Sequence, residues 1–245
     1  MRRSRCPILG CLAVVATAAP LLADGPAAAQ DSLHLTTEQY APFNYEDAGT
    51  IVGLGADQVR EIMRRSGIAF DIELLPWSRA IGLAREKPNT CVFTTAHTED
   101  RDSQFKWVEP LLVERTLLIR AKGSAVTAAS VEEAVGYRTG TQTGDYTVEL
   151  LRDAGFTEID LARDLDLTLK KLLSGRVDLM AASESYVHRL QADGVPVEEV
   201  AVLYEQVFSL ACSPQTPDGL VRRMQQALSG MIADGTQDAI LARYH

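Results

Sequence analysis

Few side chains in this chain have the chemistry to act on another molecule, and they are spread along its length. Glu38, Asp145 and Glu184 have the chemistry of a general acid or base. Arg101 closes the run Thr94-Thr95-Ala96-His97-Thr98-Glu99-Asp100. On residue types alone it pairs with Glu99 or Asp100 at the surface. Trp77 sits at a strand-to-helix junction, where a tryptophan belongs to the core or lines a groove. Gly144 opens a helix, and free N–H groups at a helix start attract anions. Asp145 fills the capping position there with its own carboxylate, which discourages that anion. The four histidines (34, 97, 188 and 245) are isolated, and no CxxC, HxxxH, HExxH or GxSxG motif occurs. The sequence therefore predicts binding without catalysis, with no metal and no cofactor.

The elements that must position these groups alternate. Leu33–Thr37, Phe70–Leu75, Thr90–Thr95 and Trp107–Arg120 read as strands. Gly53–Arg65 and Trp77–Glu86 read as helices between them, with apolar residues at helical spacing. Tyr40-Ala41-Pro42-Phe43-Asn44-Tyr45 is an aromatic loop, and Asp47-Ala48-Gly49 a turn. After Lys122-Gly123-Ser124 the pattern restarts, with strands at Tyr137–Thr141, Ile159–Ala162 and Val177–Ala182 and a turn at Gln142-Thr143-Gly144. Helices follow from about Asp145, from an Asp164 cap, and from Ser183. Val207–Cys212 is a further strand, Pro217–Ala233 a long amphipathic helix, and a short helix ends at Tyr244. Two successive α/β units followed by a tail predict a two-lobed α/β clamp. Lobe 1 takes residues 31–112 and 207–245, and lobe 2 takes 113–206. The chain crosses between them near Leu112–Leu118 and Tyr204–Phe208, and two crossings make a hinge.

At the N-terminus, Met1-Arg2-Arg3-Ser4-Arg5 is basic, and Cys6 to Ala23 carries no charge. Small residues precede Gln30, the pattern of a cleavable signal peptide over residues 1–30. The chain has 24 basic and 33 acidic residues; without Arg2, Arg3, Arg5 and Asp24 the balance is 21 against 32. That acidic excess argues against nucleic-acid partners. Cys91 and Cys212 remain after processing. They read equally well as a disulfide or as two buried thiols.

Several ordered motifs resemble the family 3 extracellular solute-binding proteins. They are Tyr40-Ala41-Pro42-Phe43, Pro76-Trp77, Thr94 to Arg101, and Phe105-Lys106-Trp107-Val108-Glu109-Pro110. Thr139-Gly140-Thr141-Gln142-Thr143-Gly144, Leu173-Ser174-Gly175-Arg176-Val177-Asp178 and Asp234-Gly235-Thr236 follow in the same order. The resemblance covers essentially the whole mature chain. It implies the periplasmic-binding-protein-like type II topology and a periplasmic receptor. That receptor captures a small polar ligand, such as an amino acid, as a monomer and delivers it to an inner-membrane ABC importer permease. It also implies that Arg101 holds a ligand carboxylate through a two-pronged guanidinium contact. Tyr40 and Trp77 would line the cleft, Thr94 and Thr95 would supply donors, and Gly144, Asp145, Tyr146, Ser183, Glu184 and Glu38 would complete the site. The sequence departs from the family's amino-acid receptors at Asp145-Tyr146, at Ser183 in place of an acid, and at Ala96 in place of a serine. An enzyme of the cyclohexadienyl dehydratase type and a periplasmic sensor subunit are alternatives on the same fold.

Mass analysis of the protein isolated from its native host should find a start near Gln30 or Asp31 with no lipid. An intact Met1 or a lipidated Cys11 would contradict the signal-peptide reading.

Overall fold

The computed structural model describes residues 32–244; the expected signal peptide lies outside them. Ten strands and nine helices are formed among the described residues. The strands are β1 (Ser32–Thr37), β2 (Tyr45–Asp47), β3 (Thr50–Val52), β4 (Ala69–Leu74), β5 (Thr90–His97), β6 (Lys106–Ala121), β7 (Thr139–Gln142), β8 (Ile159–Ala162), β9 (Leu179–Ser183) and β10 (Val197–Cys212). The helices are α1 (Leu54–Ser66), α2 (Trp77–Glu86), α3 (Glu99–Asp102), α4 (Val131–Ala134), α5 (Thr147–Asp153), α6 (Leu165–Leu173), α7 (Glu184–Ala192), α8 (Asp218–Ala233) and α9 (Thr236–Leu241).

Local chemistry explains the element ends. α1 stops at Gly67, whose φ of 65° is the left-handed conformation that terminates a helix. Asp164 caps α6 as expected, its side chain accepting from the Leu167 N–H. Helix α5 begins at Thr147, later than the sequence predicts. Tyr146, and not Asp145, is the residue at its capping position; the Asp145 carboxylate sits one residue ahead of it and takes the Thr147 N–H at 2.9 Å, which holds Asp145 outside the helix.

Eight strands form one sheet in the order β4-β1-β5-β10-β6-β9-β7-β8. β1 is parallel to β4 and β5 at one end, and β7 is parallel to β8 and β9 at the other. Between them run β6 and β10, each 16 residues long and paired antiparallel over their whole length, from Lys106↔Cys212 to Ala121↔Val197. Residues 207–212 of β10 also pair with β5, and residues 116–119 of β6 also pair with β9. Glu114 and Arg115 have only each other's ribbon partners, Gln206 and Glu205. The two expected crossings both fall in this ribbon. The chain is thus a two-lobed α/β protein hinged on two long strands. β10 starts ten residues earlier than the sequence predicts, because Glu198, Glu199 and Glu205 hide its strand pattern.

α1 and α8 pack on one face of the first lobe around Leu33, Leu35, Ile62, Met63, Met224 and Leu228. α2 covers the other face through Trp77, Ala80, Ile81 and Ala84. In the second lobe Leu118, Leu151, Phe156 and Leu179 form a separate core. Cys91 and Cys212, opposite each other on β5 and β10, form a disulfide whose Cα atoms are 3.9 Å apart. It joins the C-terminal end of β10 to the first lobe.

Replacing both cysteines by serine should lower the unfolding free energy by about 2–5 kcal/mol, because the bond closes a loop of 121 residues. Denaturant unfolding of the double variant, with thiol titration of the wild type, checks this. Two free thiols in the exported wild type would refute the pairing.

Candidate functional site

The candidate site lies where the lobes meet, and its first part is a strained turn of backbone. Thr94, inside β5, has φ of 60°, a costly value for a β-branched residue. It coincides with a bulge, since Phe93 pairs with Leu210 and Thr95 already with Ser209. The Thr94 hydroxyl donates to Asn44 Oδ1 at 2.6 Å, and Asn44 Nδ2 donates to the Glu38 carbonyl at 2.7 Å. Gly55 makes room for this contact: a Cβ there would stand 2.4 Å from Thr94 Oγ1. Thr94 and Thr95 were expected to offer hydroxyls. Both hydroxyls are already bonded, Thr95 to the Val92 carbonyl, and the pair shapes the strand end that leads to α3.

α3 carries Arg101, whose side chain is 5% exposed. Its Nη2 donates to the Gly144 carbonyl of the second lobe at 3.0 Å, and Nη1 reaches the Ala96 carbonyl at 3.4 Å. The guanidinium carbon lies 5.6 Å from the Trp77 ring centroid, a cation–π distance. Trp77 Nε1 donates to the same Gly144 carbonyl at 2.8 Å. Among the described residues no carboxylate is hydrogen-bonded or ion-paired to Arg101; Glu99 and Asp100 are exposed and do not take it. Two of its five N–H groups serve these carbonyls. Burial pulls the Arg101 pKa below its ordinary value, partly offset by the nearby Asp145.

Acidic groups face it. Asp145, partly buried, accepts from the Thr147 N–H and hydroxyl at 2.9 and 2.5 Å. Burial raises its pKa, and Thr147 and Arg101 oppose that rise. Glu38 is buried and accepts from Gln142 Nε2 of the second lobe at 2.8 Å. Burial drives its pKa from 4.5 to about 8, with Gln142 and Arg101 lowering it and Asp145 raising it. Gln142 Oε1 is buried without a hydrogen-bond partner among the described residues. Gln142 was read only as part of a turn; its burial, which no local pattern signals, makes it a site residue.

The remaining expected residues divide. The Tyr40 hydroxyl bonds the Ser183 hydroxyl and accepts from the Ser183 N–H at 3.1 Å, joining the lobes. The Tyr146 hydroxyl is held by Thr116 at 2.7 Å and Gln206 at 3.0 Å, so it ties the second lobe to the hinge ribbon. Tyr186, Tyr40, Phe43, Phe208 and Tyr146 form a chain of ring contacts across the seam, tilted at Tyr40–Tyr186 and Tyr40–Phe43 and edge to face at Phe43–Phe208 and Tyr146–Phe208. Glu184 stands apart from the cluster, paired with Arg115, with Arg115 Nε 2.8 Å from Glu184 Oε2. A cavity of about 420 Å³ opens beside Arg101, Gly144, Asp145 and Tyr146, within the size range of small-molecule sites. The described residues hold no cluster fit for a metal ion and no helix long and apolar enough to cross a membrane.

Comparison with known proteins agrees with this architecture. Residues 34–245 match the model of the bacterial extracellular solute-binding proteins, family 3. The chain belongs to that family. A probable histidine-binding protein of Campylobacter jejuni is 19% identical, with 85% of this chain and 82% of that protein covered. Among solved structures, an ancestral arginine-binding protein bound to arginine is similar at TM-score 0.78 and 22% identity, covering 87% of this chain and 97% of that one. The arginine-, lysine-, histidine-binding protein ArtJ of Geobacillus stearothermophilus is similar at 0.79 and 17%, covering 87% and 95%. A histidine kinase sensor domain with similarity to periplasmic binding proteins reaches 0.80 at 18%, covering 88% and 96%. These likenesses confirm the two-lobed fold, and the family is one of solute-binding receptors.

Glu38 supplies a pH test. A carboxyl held near 8 in the folded chain and near 4.5 when unfolded binds its proton more tightly when folded. Its contribution to stability is complete below about 4.5 and is lost as pH rises through about 8. The thermal midpoint should therefore fall between these values, and Glu38→Gln should flatten the fall. Asp145 and Glu114, also raised, leave a residual slope of the same sign. Parallel slopes for the two proteins would refute a buried neutral Glu38.

Proposed function

We propose that the receptor binds a small amino-acid-class ligand at the seam between its lobes and delivers it to an inner-membrane ABC importer, without chemical change. The observation that carries this is the buried Arg101 guanidinium, which among the described residues is bonded only to neutral carbonyls. A buried cation stripped of water, with no carboxylate in direct contact, favours an anionic partner. A ligand carboxylate meets that need with two parallel hydrogen bonds.

Opposite it, Asp145, Glu38 and the unpartnered Gln142 Oε1 are acceptors suited to an ammonium or guanidinium. A cationic group entering there would favour the ionised carboxylates and release the protons that burial holds on them. Asp145 takes the role that Ser183, bonded to Tyr40, does not fill. The known ligands of the relatives, arginine, lysine and histidine, are therefore the first to test. Residues 31–112 with 207–245 would close on residues 113–206 about the β6–β10 ribbon, and Trp77, Tyr40 and Gln142 would latch the closed form. The periplasm is the compartment this reading requires. A binding role without catalysis fits the site: its carboxyls are tied to structural donors, Asp145 to Thr147 and Glu38 to Gln142.

Calorimetric titration with arginine, lysine and histidine tests the site. Arg101→Ala should cost about 2–5 kcal/mol of binding, the scale for truncating a buried charge pair, and Arg101→Lys should recover part of it. Scattering should record a smaller radius of gyration on saturation. Wild-type affinity in Arg101→Ala would refute the assignment.

A further inference from the structure

His97 lies outside the cluster described above, at the end of β5 and four residues before Arg101. Its Nδ1 is 2.8 Å from Glu109 Oε2 on β6, and its Nε2 is 2.9 Å from Asp102 Oδ1 on α3. Its ring stacks on Trp107, with centroids 4.0 Å apart and planes 10° from parallel. The Trp107 indole N–H donates to the Asp102 carbonyl at 3.0 Å.

Glu109 is a fixed anchor. Its N–H and carbonyl are both held by the Gln225 side chain, at 2.9 and 2.8 Å, and Ser209 of β10 donates to its Oε2 at 2.8 Å. Asp102 is the opposite case. It belongs to a helix of four residues, exposed at Glu99, Asp100 and Asp102, in which Arg101 alone is buried. The imidazole therefore fastens a weak helix to a strong strand.

Two carboxylates demand two N–H donors, and an imidazole has two only when it is protonated. We propose that His97 is a positioning residue for Arg101: as an imidazolium it clamps α3 between Asp102 and Glu109, and its neutral form releases one side of the clamp. The charged groups facing the ring are Asp102 from α3 and Glu109 from β6. β10 contributes the neutral Val207, opposite His97 in register, and the neutral Ser209, and Trp107 covers a ring face. With Glu109 anchored, the bond lost on deprotonation is the one to Asp102. α3 then loosens, and the Arg101 guanidinium loses its fixed aim at Gly144 and at a ligand. This contribution lowers ligand affinity as pH rises, against the gain from ionising Glu38 and Asp145. The effect on affinity rests on the carboxylate-binding role of Arg101; the clamping of α3 does not.

Hydrogen exchange of residues 98–104 in the ligand-free chain tests the clamp at about pH 5 and about pH 8, the ends of the range in which imidazoles generally change charge. After correction for intrinsic rates, wild-type protection should fall about tenfold, the order of one charge-assisted hydrogen bond. Asp102→Asn should abolish the fall, because the Asn amide donates to a neutral ring and accepts from a protonated one. His97→Gln, which cannot carry the second proton as a charge, should be loose at both values. Calorimetry with L-arginine as the probe should then show wild type losing about tenfold in affinity relative to Asp102→Asn between the lower and the higher pH, since the protons released from Glu38 and Asp145 on binding are common to both proteins. Equal pH dependence in wild type and Asp102→Asn, or a His97→Gln helix as protected as wild type at low pH, overturns the proposal. If L-arginine fails to bind, or Arg101→Ala binds it normally, the ligand assignment fails while the exchange data still decide the clamp.

Discussion

The pairing of β6 with β10 over sixteen residues is the constraint on which the rest of this molecule depends. Each strand is shared: one half completes the sheet of the first lobe and the other half that of the second. Backbone hydrogen bonds are obligatory in a buried ribbon, so neither lobe can shed its share without losing an interior strand. Between the segments that pair with β5 and with β9, the middle of the ribbon around Glu114 and Gln206 is free of further strand partners. There the buried Glu114 carboxylate accepts from the Ser185 N–H and hydroxyl at 2.7 and 3.0 Å, capping α7 from outside the helix.

The seam between the lobes is governed by desolvation. Arg101, Glu38 and Asp145 lie together where water is largely excluded, and burial moves each toward its neutral form. The neutral carbonyl of Gly144 receives donors from both Trp77 and Arg101, so one peptide group of the second lobe registers two side chains of the first. Charges in such surroundings are costly alone and strongly attractive to a partner of opposite sign. That combination suits a site for a charged solute.

Rigidity is distributed unevenly around Arg101. Below it, the strained Thr94 is locked by Asn44 and by the close approach of Gly55. Beyond it, α3 depends on contacts from Trp107 and His97 rather than on its own four residues. The guanidinium is thus aimed by a stiff strand end on one side and by side-chain bonds on the other.

Much of this was legible from local pattern. Helical spacing in α1, α2 and α8, the Asp164 cap, and the β-branched run of β5 each report a short-range preference, and short-range preferences survive in any context. The ordered motifs point to Arg101, Trp77 and Tyr40, and all three make contacts at the seam. What pattern could not supply was partnership across distance. The early start of β10 was hidden by acidic residues that a shared ribbon tolerates on its outer face. Gln142 looked like a turn residue until the second lobe brought it to Glu38. Ser183 met Tyr40, and Glu184 turned to Arg115, because α7 begins against the hinge. Cys91 and Cys212 became a bond only because antiparallel register set them opposite each other. The sequence by itself determined the elements, their order and the residue types at the seam. Tertiary structure decided which of those residues face one another, because burial and hydrogen-bond satisfaction are properties of the assembled lobes and not of any segment.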